Sequence, residues 1–137
     1  MLFPTVRLWT EFPSLQEASE SNFMDYDIIG KRVTVIVDRK MGSTHPKYKD
    51  MVYPVNYGYV PDVFAPDGEE QDAYILGVDI PISHFDGVVI AVIHRLDDNE
   101  DKWVVAPEGK HFSKDEIAEA VSFTEKYFKT ELYMWNS

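Results

Sequence analysis

Short runs of β-branched and apolar residues fill the middle of this chain, and they leave few architectures open. Residues 33–37 (VTVIV), 72–78 (DAYILGV), 87–95 (GVVIAVIHR) and 103–106 (WVVA) each have the length and composition of a strand. The acidic turn at 98–101 separates the last two, which predicts a hairpin. Residues 53–59 (YPVNYGY) read as an irregular edge strand, because Pro cannot donate to a ladder and Gly permits a bend. Residues 42–49 and 61–71 read as loops. One helix is signalled. Ser113 is an N-cap candidate, Glu116 three residues later completes a capping box, and Phe112 with Ile117 can form a hydrophobic staple. Ile117, Ala120, Val121, Thr124 and Phe128 then share one face. About five strands followed by one helix predict an α+β fold, a small barrel with the helix packed against it.

The 137 residues suit a single domain. Residues 1–23, with two prolines and a polar Ser/Glu run, read as an extension outside the core. The domain proper is expected over 24–137, and Met24 is itself a candidate start. No apolar run reaches the roughly 18 residues of a membrane helix, and the N-terminus lacks the apolar stretch of a signal peptide, so a cytoplasmic protein is expected. Acidic residues outnumber basic ones by 24 to 13, a formal charge of −11. Such a surface repels nucleic acid and anionic membranes. It remains compatible with a phosphate ligand, because bound metal ions reverse the local sign of a carboxylate site. The absence of cysteine excludes disulfides, thiolate metal sites and thiol nucleophiles.

Several catalytic signatures are missing. There is no G-x-S-x-G elbow, no phosphate-binding P-loop and no H-E-x-x-H pair, and the four histidines (45, 84, 94, 111) are scattered. Two acidic clusters remain. In Asp67-Gly68-Glu69-Glu70-Gln71-Asp72 the glycine lets the loop fold carboxylates toward one point, and Asp97-Asp98-Asn99-Glu100-Asp101 lies on the following hairpin. Two oxygen-rich loops at one end of a sheet suit a hard cation such as Mg²⁺, although most acidic turns are simply solvated. A calcium loop starting at Asp97 is excluded, since Lys102 stands where that loop needs Gly and a strand follows. In Tyr53-Pro54-Val55-Asn56-Tyr57-Gly58-Tyr59 the tyrosines offer hydroxyls to an anion and Asn56 can fix a turn, but an aromatic core strand reads equally well.

Taken together, Tyr53-Pro54-Val55-Asn56-Tyr57-Gly58 and Asp67-Gly68-Glu69-Glu70-Gln71-Asp72 resemble the paired motifs of the soluble family I inorganic pyrophosphatases. The acidic turn before Lys102-Trp103-Val104-Val105-Ala106-Pro107, and Tyr127 in Phe123-Thr124-Glu125-Lys126-Tyr127, extend the resemblance over roughly residues 33 to 130. The resemblance implies a closed, OB-like five-stranded barrel with C-terminal helical packing. It implies Mg²⁺-dependent hydrolysis of inorganic diphosphate to two phosphates by a metal-activated water. It also implies metal ligands at Asp67, Asp72, Asp97 and Glu100, with Asp98 an alternative in that turn. Catalytic groups would be Glu69, Asp72, Lys102 and Tyr57. Phosphate would be held by Tyr53, Lys102, Tyr127 and Arg39, with His45 and Lys47 alternatives to Arg39.

The chain also departs from that family's pattern. Glu69 and Glu70 stand in place of Asp and Pro, and the segment between the first strand and Tyr53 lacks the family's Lys/Glu hairpin. The first-strand Glu has no counterpart unless Asp38 substitutes. Two further readings follow from these departures: a non-catalytic module that binds metal with a phosphate-containing ligand, and a hydrolase of a larger phosphoanhydride. A homo-oligomer is compatible with aromatics such as Trp103, Tyr133 and Trp135, which suit an interface or a core equally.

Overall fold

The computed structural model describes residues 4–8, 26–98 and 100–135. Among them the elements run β1 (Pro4–Leu8), β2 (Arg32–Arg39), β3 (Asn56–Phe64), β4 (Glu70–Ile75), β5 (His84–Arg95), β6 (Asp101–Ala106), α1 (Lys114–Glu125) and β7 (Thr130–Trp135). The strand order β5-β2-β3-β4-β6 returns to β5, which closes a five-stranded barrel as expected. The β4–β6 junction is parallel, Ala73 to Ile75 lying beside Trp103 to Val105, and the other four are antiparallel.

Closure depends on the length of β5. Along one edge its first half pairs with β2 and its second half with β7, while β6 follows its other edge. A register shift between Val89 and Ala91 bends the strand at the handover, the usual work of a bulge. β1 pairs with β7 and forms the outer edge.

Alternation sorts the side chains into two packed layers. Val35, Val37, Val60, Ala73, Ile75, Val89, Trp103 and Val105 come from all five barrel strands and share one core. The intervening Tyr74, Leu76, Ala91, Ile93 and Val104 face outward and pack on Ile117 and Val121 of α1 and Leu132 of β7. The predicted capping box is present: Ser113 Oγ accepts from the Glu116 amide and Glu116 Oε1 accepts from the Ser113 amide.

Three expectations are corrected. The segment 53–59 is not an edge strand. The strand starts at Asn56, after Pro54, and its one internal proline, Pro61, falls at the register shift, so β3 can lie between β2 and β4. It fits there because Gly58 lies against β2, where a Cβ would stand 1.8 Å from the Ile36 carbonyl oxygen. Nor is 61–71 all loop. β3 runs on through Pro61 to Phe64, past a register shift after Val60 and a left-handed Asp62 (φ 67°), and β4 resumes at Glu70. Finally, Phe128 lies beyond the end of α1, and the fourth-turn position of its buried face belongs to Glu125. Trp103 and Tyr133 are core residues. The Trp135 side chain and Asn99 fall outside what is described, as do residues 9–25.

Candidate active site

The outward faces of β3 and β4, the end of α1 and the arm 42–53 enclose a cleft of about 990 Å³. Period-two alternation places its floor. Tyr57 on β3 pairs with Tyr74 on β4, and Tyr59 pairs with Asp72, so these four side chains share one face, of which Tyr57 and Tyr74 line the cleft and Asp72 stands beside it. Tyr53, just before β3, is buried and packs edge-on against Phe123 of α1. Its position is fixed by Asn56, which is fully buried. Asn56 Oδ1 accepts from the Met41 and Ile82 amides and Nδ2 donates to the Ile80 carbonyl, pinning the segments at Met41 and at Ile80–Ile82 to the aromatic motif.

Lys102 is the centre of charge. It reaches from β6, buried, and its Nζ donates to Asp72 Oδ2 at 2.5 Å, Glu100 Oε1 at 3.0 Å and Tyr57 Oη at 3.3 Å. Burial works against the ammonium charge, but Tyr57 and Asp72 more than offset it and hold its pKa above the ordinary lysine value. Burial pushes the Tyr57 phenol well up, with Lys102 opposing, so Tyr57 stays protonated and can donate. Arg39, at the end of β2, donates to Tyr53 Oη, and its guanidinium lies 5.6 and 5.7 Å from the Tyr53 and Tyr57 ring centroids. The neighbouring Asp38 carboxyl is held above its usual range, first by burial and also by the charge of Asp72, against Arg39.

The predicted metal ligands divide. Asp72 and Glu100 meet on one ammonium. Asp67 instead accepts from the Glu69 amide inside its own turn, and Asp97 accepts from the Lys129 amide. Glu69 is exposed on the same turn, and among the described residues no hydrogen bond or ion pair joins its carboxylate to Asp72, Lys102 or Tyr57. Among the described residues no three acidic or histidine side chains gather as a ready cage. Tyr127 stands exposed on the cleft, with Lys126 Nζ 5.3 Å from its ring centroid.

Fit to a cation can still be judged from the donors. Asp72 Oδ2 and Glu100 Oε1 both lie within hydrogen-bond distance of Lys102 Nζ, so the two carboxylates, about one-third exposed, stand side by side. Mg²⁺ is ordinarily held by one or two carboxylates together with substrate phosphates, not by an all-protein cage. The Asp72–Glu100 pair fits that description.

A second group, absent from the sequence reading, lies beneath the cleft. The Arg95 guanidinium donates from Nε and Nη2 to the two oxygens of Glu125, which also accepts from Tyr74 Oη. The Phe128 ring covers the guanidinium carbon at 3.9 Å. Tyr74 in turn packs edge-on against Tyr57. Glu125 and its charge partner link the end of α1 to β5 directly under the site.

A sequence model of the inorganic pyrophosphatase family matches residues 16–135. Solved inorganic pyrophosphatases share the fold. The one from Ehrlichia chaffeensis is 18% identical with a TM-score of 0.58, over 81% of this chain and 88% of that one. The one from Neisseria gonorrhoeae is 23% identical with a TM-score of 0.55, over 74% and 76%. The one from Helicobacter pylori is 18% identical with a TM-score of 0.56, over 77% and 84%. No curated protein matches the sequence.

Proposed function

The chain belongs to the inorganic pyrophosphatase family, and from that premise we propose that it is a Mg²⁺-dependent hydrolase that splits inorganic diphosphate into two phosphates in the Lys102 cleft. The observation that carries the assignment is the convergence of Asp72, Glu100 and Tyr57 on the buried Lys102, beside the Arg39–Tyr53 pair. Asp72 and Glu100 would hold the cation, and Asp67 and Asp97 stand on the two turns that lead into them. When bound, Mg²⁺ would supply charge neutralisation for the diphosphate and a more acidic water.

The protein side chains do the rest. Arg39 and Lys102 bring positive charge to the phosphoryl oxygens, and Tyr57, held protonated, donates to them. Tyr53 accepts from Arg39, which leaves its own O–H to donate to phosphate. Tyr127, with Lys126 beside it, takes the outer phosphoryl group. Glu69, at the entry to β4, accepts the proton of the attacking water. The water oxygen bonds to one phosphorus, the bridging P–O bond breaks, and the leaving phosphate is stabilised by Lys102 and Arg39. The working unit is 24–137, acting in the cytoplasm without nucleic acid or membrane partners. Among the described residues no helix is long and apolar enough to cross a membrane.

The test is phosphate release from diphosphate with Mg²⁺. Asp72→Asn is expected to reduce turnover by at least about 10²-fold, the scale of losing a positioned electrostatic group. Equal turnover by wild type and Asp72→Asn overturns the assignment.

A further inference from the structure

We propose that the same cleft also takes organic diphosphates bearing a flat aromatic group, nucleoside diphosphates in particular, and hydrolyses their phosphoanhydride bond. This rests on the hydrolase reading above and widens its substrate class. At about 990 Å³ the cleft lies at the upper end of the roughly 300–1,000 Å³ typical of pockets that enclose whole organic ligands. A diphosphate ion is two phosphoryl groups about one oxygen, with no apolar surface. Arg39, Tyr53, Tyr57 and Lys102 form one compact group by their mutual distances, and that group is enough to hold it.

The rest of the cleft is walled by rings. Tyr48 is 56% exposed and Tyr127 64%, and both line it. The His45 ring centroid lies 5.0 Å from that of Tyr48 and 6.3 Å from that of Tyr53, the acceptor of the Arg39 hydrogen bond, so rings connect Tyr48 to the phosphate group. Lys47 Nζ stands 5.8 Å from the Tyr48 centroid, a cation beside that ring. Exposed aromatic faces beside cations are what base stacking uses.

The wall that carries Tyr48 is built in advance. His45 Nδ1 accepts from the Lys47 and Tyr48 amides, the Met51 amide donates to the Tyr48 carbonyl, and Thr44 bridges Val52. Thr124 Oγ1 of α1 lies 3.9 Å from Met51 Sδ, which ties the arm to the helix. A preformed wall lowers the ordering cost of binding. In the reaction a water oxygen bonds to the terminal phosphorus and the bridging P–O bond breaks. The bridging oxygen leaves on the nucleoside monophosphate, inorganic phosphate is released, and the water's proton passes to Glu69 and then to solvent.

The experiment measures phosphate release by the full chain with Mg²⁺ from ADP, methyl diphosphate and inorganic diphosphate, in wild type and in Tyr48→Ala. The expected result is a kcat/KM for ADP about tenfold above that for methyl diphosphate, the scale of one stacked base. Tyr48→Ala should then raise KM for ADP severalfold and leave KM for inorganic diphosphate unchanged. ADP turned over no better than methyl diphosphate, or Tyr48→Ala affecting ADP and inorganic diphosphate alike, overturns the inference. Turnover of inorganic diphosphate alone overturns it while leaving the pyrophosphatase reading intact, whereas no turnover of any of the three overturns both.

Discussion

Asn56 carries more of the site than its size suggests. Its buried side chain satisfies two amides and one carbonyl from two other segments, at Met41 and at Ile80–Ile82, and through them it sets where Tyr53 and Tyr57 stand. Asn56→Ala would strand those groups without partners. It should cost about 1–3 kcal/mol, since three hydrogen bonds of roughly 1 kcal/mol each are lost at partly buried sites, read as a fall in the urea midpoint at unchanged slope. Gly58→Ala has no such tolerance: its methyl would meet the Ile36 carbonyl oxygen, so no cooperative unfolding transition is expected. The sequence made both residues visible as parts of one motif. It could not show that the motif's Asn and Gly serve the backbone while its tyrosines serve the cleft, because that division depends on contacts with residues 15 to 26 positions away.

At the scale of elements, the site hangs on the junction between α1 and β5. The Arg95–Glu125–Tyr74 group is a buried ion pair, and Arg95 Nη1 also lies 3.5 Å from the partly exposed Asp98 carboxylate. Removing Arg95 leaves the fully buried Glu125 carboxylate without its cation, which costs roughly 3–5 kcal/mol, whereas replacing both with apolar residues is often near neutral. Arg95→Met should therefore lower Tm steeply, and the double variant Arg95→Met with Glu125→Leu should recover most of the loss in differential scanning calorimetry. The signal for this pair was in the sequence. Ile117, Val121 and Glu125 fall at successive four-residue steps, so an acid sat on the apolar face of the one predicted helix. β2, β5 and β6 were legible because each is rich in β-branched residues and bounded by turns, whereas β3 was misplaced because Pro54, Gly58 and Pro61 give it the look of an irregular edge. β7 was not legible, because Glu131 interrupts its apolar pattern and it follows the helix after only a short turn.

Across the whole molecule, a net charge of −11 surrounds a cleft whose working groups are largely cationic, so the cleft owes its anion affinity to local placement and not to the overall field. The same surplus of acid shapes the pH dependence of stability. His94 lies where β5, β6 and β7 meet, facing Asp101, Glu131 and Asp98. Its hydrogen bond to Asp101 raises its pKa above the ordinary histidine value, against burial. The folded state therefore binds the proton more tightly than the unfolded chain. This contribution is complete below the unfolded pKa of about 6.5 and is lost as pH rises through the raised folded value. Tm should decline as pH rises past about 6.5, the unfolded value, and His94→Gln should flatten that decline. The barrel and the paired motifs could be read from the sequence because they are local or carried by family resemblance. The meeting of Asp72 and Glu100 on Lys102 could not, since it depends on the parallel β4–β6 closure. The central claim is that this meeting point cleaves diphosphate by attack of water on phosphorus. Its most direct test is ³¹P NMR of diphosphate turned over in ¹⁸O-labelled water with Mg²⁺. Two phosphates should form per diphosphate, one of them carrying a single ¹⁸O from solvent, and Asp72→Asn should form almost none. Diphosphate left intact by the wild-type chain, or converted equally by Asp72→Asn, would contradict the account.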